Sequence, residues 1–280
     1  MLVKDGETMT DIAAQGAPSA RRLRMNGLDA AAAFWFAMML IGQWIFVYYI
    51  AAFYGGVTLS GNFAAWNEHP FVRGHVPGDT IGNLAFASHV MLAIVITFGG
   101  VLQLLPQIRA RAAWLHRWNG RIFLVTSIAV SLAGFYMVWL RDGAAPEFHD
   151  LSISFNGALI LLFAALAWRT AAARNITSHR RWALRTLMVV NGVYFIRLIF
   201  SGWLLLTRSE PNTATFYAFE LASFLLPLAI LELYLRARDG GGAILRATAI
   251  AAVSGATAYM VIGTIGFTMI FVVGILSGAL

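Results

Sequence analysis

Seven runs of about twenty or more apolar residues follow one another along the chain, at 30–53, 82–105, 119–140, 151–169, 183–206, 216–236 and 246–276. Each is long enough to cross a bilayer at ~1.5 Å of rise per residue. In lipid a backbone must satisfy its own hydrogen bonds, so such runs fold as helices that pack together. The expected fold class is all-α, a polytopic transmembrane bundle of about seven helices. Composition closes the soluble alternative. Hydrophobic residues make up 59% of the chain and charged residues 12%, about half the usual charged share. Too few polar side chains remain to clothe a soluble domain of this size.

The charges between the runs alternate. Lys4, Arg21, Arg22 and Arg24 precede the first run; Arg109, Arg111, Arg117 and Arg121 lie around the second connection; Arg169, Arg174, Arg180, Arg181 and Arg185 lie around the fourth; Arg236, Arg238 and Arg246 fill the sixth. The other connections hold only Arg73, Arg141 and Arg208. By the positive-inside rule the N-terminus is expected in the cytoplasm and the C-terminus outside, in a bacterial cytoplasmic (inner) membrane. The net charge of +7 then reads as a topology signal and as contact with anionic lipid head groups, not as a nucleic-acid site. Residues 1–28 read as a flexible cytoplasmic tail and 29–280 as one transmembrane domain. Two stretches strain the layout. The uncharged run 247–280 would be ~50 Å long as one helix, and is expected to tilt, break near Gly263 and Gly266, or project outward. The connection 54–81 is expected to pack over the outer face. The chain has no cysteine, which excludes disulfides, thiolate iron–sulfur ligation and covalent c-type haem.

Polar residues inside lipid carry the functional information. His89 lies in the outer half of the second run, His116 at the cytoplasmic start of the third, His149 at the outer start of the fourth and His179 at the cytoplasmic start of the fifth. Helical spacing sets small or polar residues beneath each of them, as Ser127, Ser131 and Gly134 lie beneath His116. One histidine on each of four consecutive helices, on alternating sides, suits b-type haem, whose iron takes two axial imidazoles. His116 with His179 would form a cytoplasmic site, and His89 with His149 an outer one. The bland alternative is that these histidines cap helices or meet lipid phosphate. No metal site beyond the haem iron is expected. Glu68, His69, His75 and Asp79 in the outer connection match no stringent ligand spacing and read as a polar loop. Arg197 is the strong intramembrane charge. It is expected to pair with Glu220, either as a structural ion pair or as an anchor for a propionate, quinone or substrate. Glu232 lies near the cytoplasmic end, within reach of water.

The stretches LHRWNGR (Leu115 to Arg121) and HRRWALR (His179 to Arg185), with His89, Gln103 and Arg197 around them, resemble a bacterial family of predicted membrane proteins of unknown function, domain of unknown function 2306. The resemblance spans roughly residues 85–205 and implies architecture, not chemistry. The matching positions include His116, Arg117, Gly120, Arg121, His179, Arg180, Trp182 and Arg185; His149 does not clearly belong to them. The alternation of histidines is also similar to the core of the cytochrome b561 proteins, an analogy of pattern. Two functions are therefore expected to compete. The first is a haem b electron-transfer protein, any catalysis being that of a membrane oxidoreductase, exchanging electrons with a quinone or a partner protein. The second is a cofactor-free transporter or an accessory subunit of a larger membrane complex.

Overall fold

The computed structural model of the protein describes residues 26–68, 74–141 and 147–277. The expected tail, 1–28, falls almost wholly outside these residues, as do His69 and Arg73. The described residues contain helices and turns and no strand.

Helix α1, Gly27–Ile50, starts where the Asn26 side chain accepts the Asp29 N–H at 2.8 Å, which satisfies one of the free donors of its first turn. It runs on through a π-helical turn, Ala51–Gly55, and a last turn, Gly56–Ser60. Gly61 ends it at a φ of 73°, a left-handed conformation that glycine adopts without penalty. A 3-10 segment, Phe63–Glu68, then tucks Trp66 against Phe86. Asn67 pins this connection by accepting the Gly74 and His75 N–H groups at 2.7 and 3.0 Å.

Helix α2 spans Thr80–Leu104, with Asp79 as its cap. The short α3, Pro106–Arg111, opens on proline, where a missing N–H costs nothing. Next come α4, Ala113–Tyr136, extended by the π turn Met137–Arg141, and α5, Phe148–Ala172. They are followed by α6, Ile176–Val190, α7, Gly192–Thr207, and α8, Thr213–Arg238. The last helix, α9, Ala243–Phe267, continues through Thr268–Val272 to Val273–Ser277. Six of these helices are long and apolar enough to cross a membrane, and α6 with α7 makes a seventh span if the bent pair counts as one. Large apolar side chains such as Phe34, Trp44, Ile81 and Leu140 are exposed on the outside of the bundle, the arrangement that lipid requires.

Two expectations about these spans need correction. The fifth run was expected as one helix over 183–206, yet it breaks at Asn191 with a bend of 48°. Asn191 Nδ2 donates to the Leu187 carbonyl at 2.8 Å, and its Oδ1 accepts from Gln43 Nε2 of α1 at 2.7 Å. Side-chain amides thus bond at the place where the helical ladder is interrupted. The last run does not break at Gly263 and Gly266; α9 is helical through both. A Cβ at either glycine would stand 2.5 Å from a backbone carbonyl of α7, that of Leu198 or Ser201. The glycines are there because two helices touch, as small residues allow in a membrane. Tyr259 seals the same contact, donating to the Ile199 carbonyl at 2.9 Å.

The core is aromatic. Phe46, Tyr49, Phe53, Phe267 and Phe271 stack between α1 and the end of α9. The arginine-poor end is closed by a lock. Arg141 Nε bonds Asp79 Oδ2 at 2.8 Å, and Arg141 Nη2 bonds Asn83 Oδ1 at 2.8 Å. The Arg141 side chain is 4% exposed and that of Asp79 28%, so the lock joins the end of α4 to the start of α2 with its arginine buried and its carboxylate partly in water. Asp79 is held below the ordinary carboxylate range, first by the Gly82 N–H at its cap and then by Arg141.

Candidate functional site

A cavity of about 510 Å³ lies among the spans and takes lining residues from α1, α2, α4, α5, α7 and α8, with Phe271 following α9. It is mostly apolar, with a few convergent polar groups, the usual character of a small-molecule site. His89, His149, Arg197 and Glu220 all line it, and Asn191 places the helix break on its wall.

His89 sits in the middle of α2, facing α4. Its Nδ1 lies 3.1 Å from the Val130 carbonyl. A carbonyl can only accept, so Nδ1 carries the proton and Nε2 keeps its lone pair. The neighbouring position on α4 is Gly134, where a Cβ would come within 3.7 Å of the ring. His149 stands in the first turn of α5, which a reciprocal capping box of Glu147 and Asp150 fixes. Its Nδ1 bonds Glu220 Oε1 of α8. Glu220 is buried, and its second oxygen, Oε2, has no hydrogen-bond partner. Buried and unpartnered polar atoms also occur on Ser131 and Asn156 of the cavity wall.

The expected Arg197–Glu220 pair does not form, because Glu220 is held by His149. Arg197 instead bonds its own helix, Nη1 donating to the Val193 carbonyl at 2.8 Å, and lies 5.2 Å above the ring of Phe46. The hydroxyls of Tyr49 and Tyr54 are within electrostatic reach of it.

At the arginine-rich end the other two histidines come near each other. His116 and His179 are within electrostatic reach, and neither lines the cavity. His179 repeats the pattern of His89, its Nδ1 bonding the Ala167 carbonyl of α5 at 2.9 Å. The carbonyl of His116 accepts Gln103 Nε2 at 2.9 Å, while its own Nδ1 is buried without a partner. The small and polar residues of the α2–α4 face serve this contact; Asn119 Nδ2 reaches the Gly99 carbonyl at 2.8 Å. Arg185 grips Glu232 through two bonds of 2.6 and 2.9 Å and lies over the Trp182 ring. Arg185 and Trp182 thus close the junction of α6 and α8. In the far connection Asp79 serves the Arg141 lock and His75 stacks near Phe63. Among the described residues no group of three or more His, Cys, Asp or Glu could hold a metal ion.

Sequence reasoning missed two features of the cavity region. One is the Gln43–Asn191 pair, signalled by an amide inside an apolar run and by Asn-Gly in the middle of another. The other is the partner of Glu220, which only the crossing of α5 and α8 decides.

The family model described as predicted membrane protein DUF2306 matches residues 86–235, more than half of the chain. The match takes in His89, His116, His149, His179, Arg197 and Glu220. No curated protein and no solved structure matches the chain.

Proposed function

The chain belongs to the DUF2306 family of predicted membrane proteins, and from that premise and the histidine-lined cavity we propose that it is a membrane-embedded redox protein that binds b-type haem. His89 and His149 would hold the haem iron in the cavity, and His116 with His179 would hold a second towards the arginine-rich end. The observation that carries this reading is the state of the two cavity imidazoles. Both are engaged at Nδ1, one by the Val130 carbonyl and one by the Glu220 carboxylate. This is how a protein fixes the tautomer and aim of a metal-binding histidine, and it leaves Nε2 as the coordinating atom. The histidines stand on α2 and α5, helices that flank α4 on either side. Ser131 and Gly134 of α4 line the space with small side chains, which suits a flat macrocycle.

Bound there, haem supplies one-electron chemistry. The protein's own part is to hold the imidazole rings through Nδ1 and exclude water with the aromatic core. Glu220 acts through His149, raising its basicity as a ligand. The electron partner is a quinone or another protein. The alternation of histidines, like that of the cytochrome b561 core, supports the same reading by analogy. The arginine-rich end faces the cytoplasm of a bacterial cell; a reporter fused after residue 280 that stayed cytoplasmic would contradict this orientation.

The test is a hemin titration of the detergent-solubilised protein. A saturable low-spin Soret band, at one or two haems per chain, is the expected result. Failure of a folded protein to saturate sinks the reading. The second reading is a transporter, favoured by the broken α6–α7 span beside a cavity with a few polar groups on its wall. A transporter would take up no hemin, and its cavity would serve a solute.

A further inference from the structure

Arg197 is a charge on the cavity wall that the histidine reading does not use, while Arg141 and Asp150 on the same wall serve the Asp79 lock and the cap of α5. Arg197 lines the cavity from the middle of a span, and among the described residues it makes no ion pair with a carboxylate. Glu220, a buried carboxylate on the same wall, is already engaged by His149. The Phe46 ring beneath the guanidinium offers a quadrupole, not a counter-charge. One edge of the guanidinium is tied through Nη1 to the Val193 carbonyl, and the Tyr49 hydroxyl beside it is a neutral neighbour that supplies no counter-charge. A guanidinium inside a membrane without an anion is unfavourable, and its planar fork matches a carboxylate. Tyr54 lines the same wall within electrostatic reach. The unpartnered Ser131 Oγ and Asn156 Oδ1 show that the cavity has further polar capacity for an occupant.

We propose that Arg197 is a carboxylate-binding subsite, and that the cavity takes an amphiphile whose apolar body lies among the aromatic walls and whose acidic group docks on this guanidinium. The inference rests on the cavity being a binding site, as the haem reading also requires, but not on the occupant being haem. A porphyrin propionate and a fatty-acid carboxylate share the chemistry.

The experiment compares each acid with its ester on the full chain in detergent. One arm uses hemin against hemin dimethyl ester; the other uses palmitate against methyl palmitate, both read by calorimetry. The wild-type protein should bind the acid at least about tenfold more tightly than the ester in one arm. Arg197→Gln should abolish that preference without weakening the ester, and Arg197→Lys should retain part of it. A preference in the hemin arm assigns the carboxylate to a propionate. A preference in the palmitate arm alone keeps the subsite and removes the haem reading. Equal binding of acid and ester in both arms, or no binding of either acid, overturns the proposal. So does a preference that survives in Arg197→Gln. The wild-type comparison decides the matter even if a variant fails to fold.

Discussion

Glu220 on α8 is hydrogen-bonded to His149 on α5 and not to Arg197 on α7, although all three line one cavity. Glu220 is 4% exposed, so its charge depends on that imidazole. Replacing His149 by Ala leaves a buried carboxylate without its partner and should cost about 3–5 kcal/mol. Glu220→Gln keeps a hydrogen-bonding group in place and should cost less. Unfolding in mixed micelles measures both. A double-mutant cycle should give a large coupling between His149 and Glu220 and little between Arg197 and Glu220. A large Arg197–Glu220 coupling would contradict the geometry.

The contact of α9 with α7 rests on two glycines. At Gly263 and Gly266 even a methyl group would meet a carbonyl oxygen at 2.5 Å, closer than real contacts allow. Gly263→Ala should therefore lower stability by roughly 1–3 kcal/mol, the usual cost of overpacking. The control is Gly255, which has nothing within 4 Å of the added atom; its alanine variant should match or exceed the wild type. Thermal unfolding in detergent gives the ranking, and equal midpoints for the two variants would disprove the close approach.

The lock at the arginine-poor end should show in the response to acid. Asp79 is held below its ordinary value of 3.8 by the Gly82 N–H and by Arg141. A carboxylate whose folded value is depressed contributes stability above its unfolded value, and loses it as the pH falls through the folded one. The difference in thermal midpoint between wild type and Asp79→Asn should be constant from neutral pH down to the ordinary carboxylate range, then shrink on further acidification. A difference already shrinking at about pH 6 would contradict a depressed Asp79 value.

How much of this was legible in the chain depends on what each residue answers to. The spans were legible because lipid sets their length and the arginine clusters separate them. The histidines were legible as residues out of place, and their grouping into His89 with His149 and His116 with His179 follows from one ring per helix on alternating ends. Glu220 was not, because an acid in the sixth span can meet either the fourth or the fifth, and the crossing angles decide which. A break near Gly263 and Gly266 was one of three options for the last run, and that it does not occur has a related reason. In water such glycines weaken a helix, while in lipid they mark where another helix presses against it. The bend at Asn191 was written in the Asn-Gly pair, but its partner Gln43 lies 148 residues away, beyond any local pattern.

The central claim is that the cavity histidines hold haem, and an absorption spectrum tests it most directly. The full chain should be expressed with ample haem supply, purified in detergent, and recorded oxidised and dithionite-reduced beside His89→Ala, His149→Ala, His116→Ala and His179→Ala. The account predicts stoichiometric Soret and α bands in the wild type, with one component lost in both His89→Ala and His149→Ala. A folded, colourless wild-type protein, or bands that survive both of those substitutions, would contradict it.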